Sequence, residues 1–182
     1  MRAQLFGLLV LGLTSLTQAQ KSIETDVDAK SVSLKDIIIT ANSNYMNKAY
    51  EESSSEVIKN LEQVVAGFDI TEHEVFSPEY DSYLVNFKTT GKTRMNVTYN
   101  AIGIVLSSNE RYDDILLPHY VRQALVKEYP GWTLQSNSYR VNYDHQKGIK
   151  KLYIIQVRKD GQKKNLKFNV EGNQAIVSVD YD

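Results

Sequence analysis

The second half of this chain repeats the first in order, which constrains the fold more than any other feature. Val57-x-x-x-Leu61 leads into Ala66-Gly67-Phe68-Asp69-Ile70, and Val121-x-x-x-Leu125 leads into Pro130-Gly131-Trp132-Thr133-Leu134. Tyr83-Leu84-Val85-Asn86-Phe87-Lys88, with Gly91 after it, returns as Tyr153-Ile154-Ile155-Gln156-Val157-Arg158, with Gly161 after it. Tyr99-Asn100-Ala101-Ile102-Gly103 returns as Phe168-Asn169-Val170-Glu171-Gly172. Only the connections change length. Such an ordered duplication predicts one supersecondary unit used twice.

The unit reads as a helix followed by three to four antiparallel strands, an α+β arrangement with helices packed on one face of the sheet. Ser53-x-x-Glu56 fits a capping box. Val57, Leu61, Val64 and Val65 then make an apolar stripe at helical period, and Gly67 stops it. In the second copy Pro118 suits a helix start, and Val121, Ala124, Leu125 and Tyr129 form the stripe before Pro130-Gly131. Tyr83, Val85, Phe87 and Met95, Val97, Tyr99 alternate with polar residues, as do Tyr153, Ile155, Val157 and Leu166, Phe168, Val170. Period-two alternation with short glycine-bearing turns predicts antiparallel strands with one face covered. Ala175, Val177, Val179 and Tyr181 add a last strand. Trp132 and Leu134 have the opposite parity to Tyr139, Val141 and Tyr143, so either a bulge near Ser136–Ser138 or a strand that leaves one layer for another is expected. Asp36–Thr40 reads as a short strand and the serine-rich stretch from Ala41 to Ser55 as a linker. Trp132, the one tryptophan, is expected between helix and sheet.

The first nineteen residues read as a secretory signal. Arg2 supplies the positive end, Leu5 to Leu16 an apolar run, and Thr17-Gln18-Ala19 a small-residue cleavage site near Ala19. That run is shorter than the roughly 20 residues a membrane-spanning helix needs. The domain plan is therefore a signal over 1–19, an N-terminal segment over 20–54, and one domain of two repeats at about 55–107 and 115–182. The chain has no cysteine, which excludes disulfides, thiol catalysis, Cys-ligated zinc and an acylated lipoprotein anchor. A formal net charge of −1 gives no global attraction to nucleic acid or anionic membranes.

Leu117-Pro118, Val121, Ala124, Tyr129-Pro130-Gly131-Trp132, Tyr153-x-Ile155 and Phe168-Asn169-x-x-Gly172 together resemble the PepSY-like proteins exported by Bacteroidetes, also described as β-lactamase-inhibitor-protein-like periplasmic proteins. The resemblance covers roughly residues 55 to 175. It implies tandem helix-on-sheet units and a periplasmic or secreted protein, and it carries over no catalytic residue.

Candidate chemistry is sparse. His73, His119 and His145 share no ligand spacing, and no glycine-rich loop opens a helix after a strand, which argues against nucleotide transfer. Asp69, Glu72, Glu74, Glu79 and Asp81 match no EF-hand loop and read as a solvated acidic edge. Asn96-Val97-Thr98 is a glycosylation sequon placed mid-strand. Lys147, Lys150, Lys151, Arg158, Lys159, Lys163, Lys164 and Lys167 read as a solvated hairpin face or a docking surface for an acidic protein or envelope polymer. Nucleic acid fits poorly, because no aromatics interleave the run. The candidate interaction face is Lys88, Arg158 and Lys167, with Tyr112, Tyr139 and Tyr143 as tyrosines free to touch a partner. The expectation is a non-catalytic exported binding module without cofactor or metal, modulating or inhibiting an envelope or secreted enzyme. The alternatives are a small-molecule or ion-binding envelope sensor and an enzyme of unrecognised type.

Overall fold

The computed structural model describes residues 41–89, 92–172 and 174–178; the expected signal peptide, the expected strand at Asp36–Thr40 and the residues past Ser178 lie outside them. Among the described residues the chain is α+β, with three helices and one antiparallel sheet of seven strands in sequence order. Helices α1 (Ser43–Ala49) and α2 (Glu56–Ala66) and a 3₁₀ turn (Ile70–Glu72) precede β1 (Ser82–Lys88), β2 (Arg94–Asn100) and β3 (Val105–Asp113). Helix α3 (His119–Glu128) follows, then β4 (Thr133–Asp144), β5 (Gly148–Lys159), β6 (Gln162–Glu171) and β7 (Gln174–Ser178). No helix among the described residues is long and apolar enough to cross a membrane.

Alternation decides which face of the sheet is covered. Met95, Val97, Tyr99, Tyr112, Tyr139, Val141, Tyr153, Ile155, Val157 and Phe168 are all fully buried, and their neighbours along each strand turn outward. Register keeps the buried set in line, with Tyr112 opposite Tyr139, Tyr139 opposite Tyr153 and Tyr153 opposite Phe168. Tyr139 and Tyr153 stack with ring centroids 4.3 Å apart. The β5–β6 hairpin closes through Asp160-Gly161, both with positive φ (48° and 80°), as a two-residue turn matched to strand twist requires. The expected bulge exists, one residue before its predicted place. The β4–β5 register shifts between Leu134 and Ser136, which sets Trp132 and Leu134 out of phase with Tyr139.

Several local expectations need correction. Within the stretch read as a linker from Ala41 to Ser55, Ser43–Ala49 is a helix, because few but large contacts hold it. Asn42 is buried and donates to Ala66 O and Gly103 O (both 3.1 Å) while accepting from Val105 N at 2.8 Å. Tyr45 and Ala49 are buried behind it. Helix α2 begins at Glu56 with Ser55 as N-cap and no side-chain capping bond, so the Ser53 capping box does not form. Its buried stripe is Ile58, Leu61, Glu62 and Val65, whereas Val57 and Val64 are exposed. Gly67 ends the helix at φ −95°, without the left-handed turn. Trp132 is half-buried, packed against the core on one side and covered by Lys164, whose Nζ lies 4.8 Å from the ring centre. Strand β3 escaped the alternation test, since its inward positions after Val105 are Ser108, Glu110 and Tyr112.

Candidate interaction face

The face of the sheet opposite the core is a grid built by register. Lys88 pairs with Arg94, Arg94 with Arg111, and Arg111 with Arg140, so four cations stand in one straight row across β1 to β4. The row continues through Leu152, Asn169 and Ile176 on β5 to β7. Two residues along each strand a second row runs parallel, made of Asn86, Asn96, Asn109 and Asn142, with Lys150 at its end. Every member of both four-residue sets is exposed. Adjacent strands lie about 4.7–4.9 Å apart, so the four cations span about 14 Å at near-constant intervals.

Like charges directly opposite one another oppose strand pairing by roughly 0.2–1 kcal/mol per pair. The row has three such pairs and little to offset them. Arg111 Nε contacts Asp113 at 3.0 Å, while Lys88, Arg94 and Arg140 form no ion pair among the described residues. The asparagines cooperate instead: Asn109 Nδ2 donates to Asn142 Oδ1 at 2.9 Å, which orders the middle of their row. Two open depressions flank the boundary between the rows. One, of about 320 Å³, is lined by Arg111, Arg140, Gln156 and Asn165, and also by Lys92 with the carboxylates of Asp113 and Asp114. The other, of about 410 Å³, is lined by Asn96, Asn109, Asn142 and Lys150.

The residues expected from sequence divide sharply. Lys88, Arg158 and Lys167 do lie exposed on this face, but only Lys88 belongs to the row. Arg158 pairs with Lys163, and Lys167 with Ile154, in other rows. Tyr112, Tyr139 and Tyr143 are corrected: they point to the covered side and are buried, leaving no surface for a partner to touch. The late basic cluster is also two groups. Lys150, Arg158, Lys163 and Lys167 take the open-face parity, whereas Lys151 takes the other and donates to Ala49 O, and Lys164 covers Trp132. Of the early acidic residues, Asp69 is used locally, accepting from Thr71 N at 2.9 Å. No group of three or more His, Asp or Glu among the described residues could hold a metal ion.

The covered side holds a second charged cluster that the sequence reading missed. Glu110 is buried and accepts hydrogen bonds from Tyr45 OH (3.0 Å), Tyr112 OH (2.8 Å) and Ser108 Oγ (2.6 Å). Burial pushes its carboxyl above the usual range against the pull of these three donors. Glu62, fully buried on α2, has no hydrogen-bond partner for either oxygen. Burial first, and then the charge of Glu110, push it up to about 8. Nearby, Lys151 Nζ donates to Glu51 Oε1 (2.7 Å) and Ala49 O (2.9 Å), and Glu51 Oε2 accepts from Tyr120 OH at 3.0 Å. The two buried acids are thus treated differently: Glu110 has three hydroxyl donors, and Glu62 has none and is held toward its neutral form by burial.

Compared with known protein families, curated proteins and solved structures, the chain matches none.

Both missed sets have the same cause. Lys88, Arg94, Arg111 and Arg140 are scattered over four strands, so no local pattern along the chain groups them. Glu62 and Glu110 sit where helical and strand periods require apolar residues. That violation was the signal available, since a charged residue on a buried stripe is rare without a partner.

Proposed function

We propose that this chain is a non-catalytic exported binding module that engages an anionic macromolecule through the open face of its sheet. The observation that carries the reading is the row Lys88–Arg94–Arg111–Arg140, four exposed cations in register with one carboxylate, Asp113, set against one of them. A fold gains nothing internally from such an alignment. An anion laid across it removes the repulsion and gains charge-assisted hydrogen bonds, for which arginine's fork is the best donor set.

The same proposal includes the finer architecture: two PepSY-like units, with helices on the covered face. The element order supports it, with a helix and three strands followed by a helix and four strands. Contacts from α1 and α2 to the covered side support it too, since Tyr99 OH donates to Val65 O at 2.8 Å and Tyr45 reaches Glu110. Export rests on the n-, h- and cleavage regions of residues 1–19.

Affinity capture from an envelope extract tests the function. Wild-type protein is expected to retain an anionic macromolecule that salt elutes, because exposed charges are screened within about 8–10 Å at moderate ionic strength. Lys88→Glu/Arg140→Glu should retain none of it while folding normally. If the variant captures everything that wild type captures, the open face is only a solvated surface and the proposal fails.

A further inference from the structure

Resting on that reading, we propose that the anion is an acidic polysaccharide chain lying across the strands, its carboxylates or sulfates on the cationic row and its hydroxyls on the asparagine row. Three observations select this occupant. The first is interval. The cations repeat at the strand spacing, about 4.7–4.9 Å, and an extended pyranose chain bearing one acid per sugar repeats at a distance that arginine side chains can follow.

The second is the neighbouring row. Asn86, Asn96, Asn109 and Asn142 each carry both donors and an acceptor, which suits hydroxyl groups that also donate and accept. A partner that offers only anionic oxygens would accept from these amides and leave their acceptor oxygens unused. The third is shape. Both rows are exposed and lie side by side on one sheet face, with an open depression at each flank. A ribbon-like sugar chain can cover two parallel rows at once, whereas a helix of about 10–12 Å diameter meets a flat surface along one line.

The rows therefore divide the work. Arg94 and Arg140 hold charge, and Arg111 does so while kept in place by Asp113 at 3.0 Å. Asn109 and Asn142, already bonded to each other at 2.9 Å, hold the sugar plane in register.

Binding of the purified protein to immobilised alginate, poly-L-glutamate and dextran, at matched ionic strength, tests this. Alginate should bind at least tenfold more tightly than poly-L-glutamate, and dextran should not bind. Arg94→Gln/Arg140→Gln should weaken alginate binding at least tenfold, and Asn109→Ala/Asn142→Ala should weaken alginate more than poly-L-glutamate. Arg158→Gln/Lys163→Gln, on the same face but off the row, should change alginate binding less than twofold. Poly-L-glutamate binding as tightly as alginate overturns the polysaccharide assignment and leaves the anion-binding module standing. Equal losses from the on-row and off-row pairs overturn the row itself. Binding of none of the polymers overturns both.

Discussion

The two sides of this sheet treat like charge in opposite ways. On the buried side, the charge of Glu110 raises the affinity of Glu62 for protons, and the interior answers the conflict locally. Three hydroxyls donate to Glu110, burial raises Glu62 to about 8, and Lys151 is matched by Glu51. On the outer side, Lys88, Arg94, Arg111 and Arg140 stand in register and only Arg111 has a counter-charge. The interior had to settle its charges because a lone buried ion costs several kcal/mol. The surface had no such obligation, since water screens the row at small cost. An unsettled row on a rigid sheet is thus available for a ligand at little cost to stability.

The largest expected effect breaks the settled side. Lys151→Met takes the cation from Glu51, leaving it Tyr120 OH, and the side-chain donor from Ala49 O, in a region where the Lys151 and Glu51 side chains are 8% and 11% exposed. Removing one partner of a buried pair costs about 3–5 kcal/mol. Denaturant titration should show that loss, and Glu51→Gln/Lys151→Met should recover a substantial part of it. Full stability in the single variant would mean that the pair is not neutralising the interior.

Next is the response to pH. The folded-state pKa of Glu62 lies at about 8 against an ordinary value of 4.5, so the folded protein holds a proton that the unfolded chain releases. The sign follows: stability is full at low pH, falls as pH rises from about 4.5 to about 8, and is flat beyond. Glu110, also raised, adds to the same slope, while Lys151 opposes it. Glu62→Gln should flatten much of a decline on the order of a few kcal/mol. A wild-type stability that rises across that window would contradict the protonated interior. Smaller again is Tyr45→Phe, which removes one of three donors to Glu110 and should cost about 1–3 kcal/mol with little change in slope.

The contrast also separates what was legible in the sequence from what was not. The strands with apolar inward residues, such as Met95-x-Val97-x-Tyr99 and Tyr153-x-Ile155-x-Val157, are read from period two alone. So is the phase break answered by the bulge at Leu134–Ser136. The covered side was lost wherever a polar group does apolar duty: β3, with inward Ser108 and Glu110, and α2, where Glu62 displaces the stripe away from Val57 and Val64. Helix α1 was lost because Asn42 holds it through three long-range backbone contacts that no local pattern encodes. The outer row was half-seen. Lys88 came from strand parity, but Arg94, Arg111 and Arg140 join it only once four strands are set in register. Tyr112, Tyr139 and Tyr143 were given surface roles for want of the same register.

The smallest expected change in stability belongs to the row, and it gives the most direct test of the whole account. For Arg94→Gln/Arg140→Gln, two free energies should be measured on the same preparation: unfolding by denaturant, and binding to alginate at low ionic strength. The account predicts an unfolding free energy unchanged within about 0.5 kcal/mol, or slightly raised by relief of cross-strand repulsion, together with loss of binding. A variant destabilised by more than about 1 kcal/mol would show that the row is settled internally like the buried acids. Retained binding would show that the unsettled charges are not where the ligand sits.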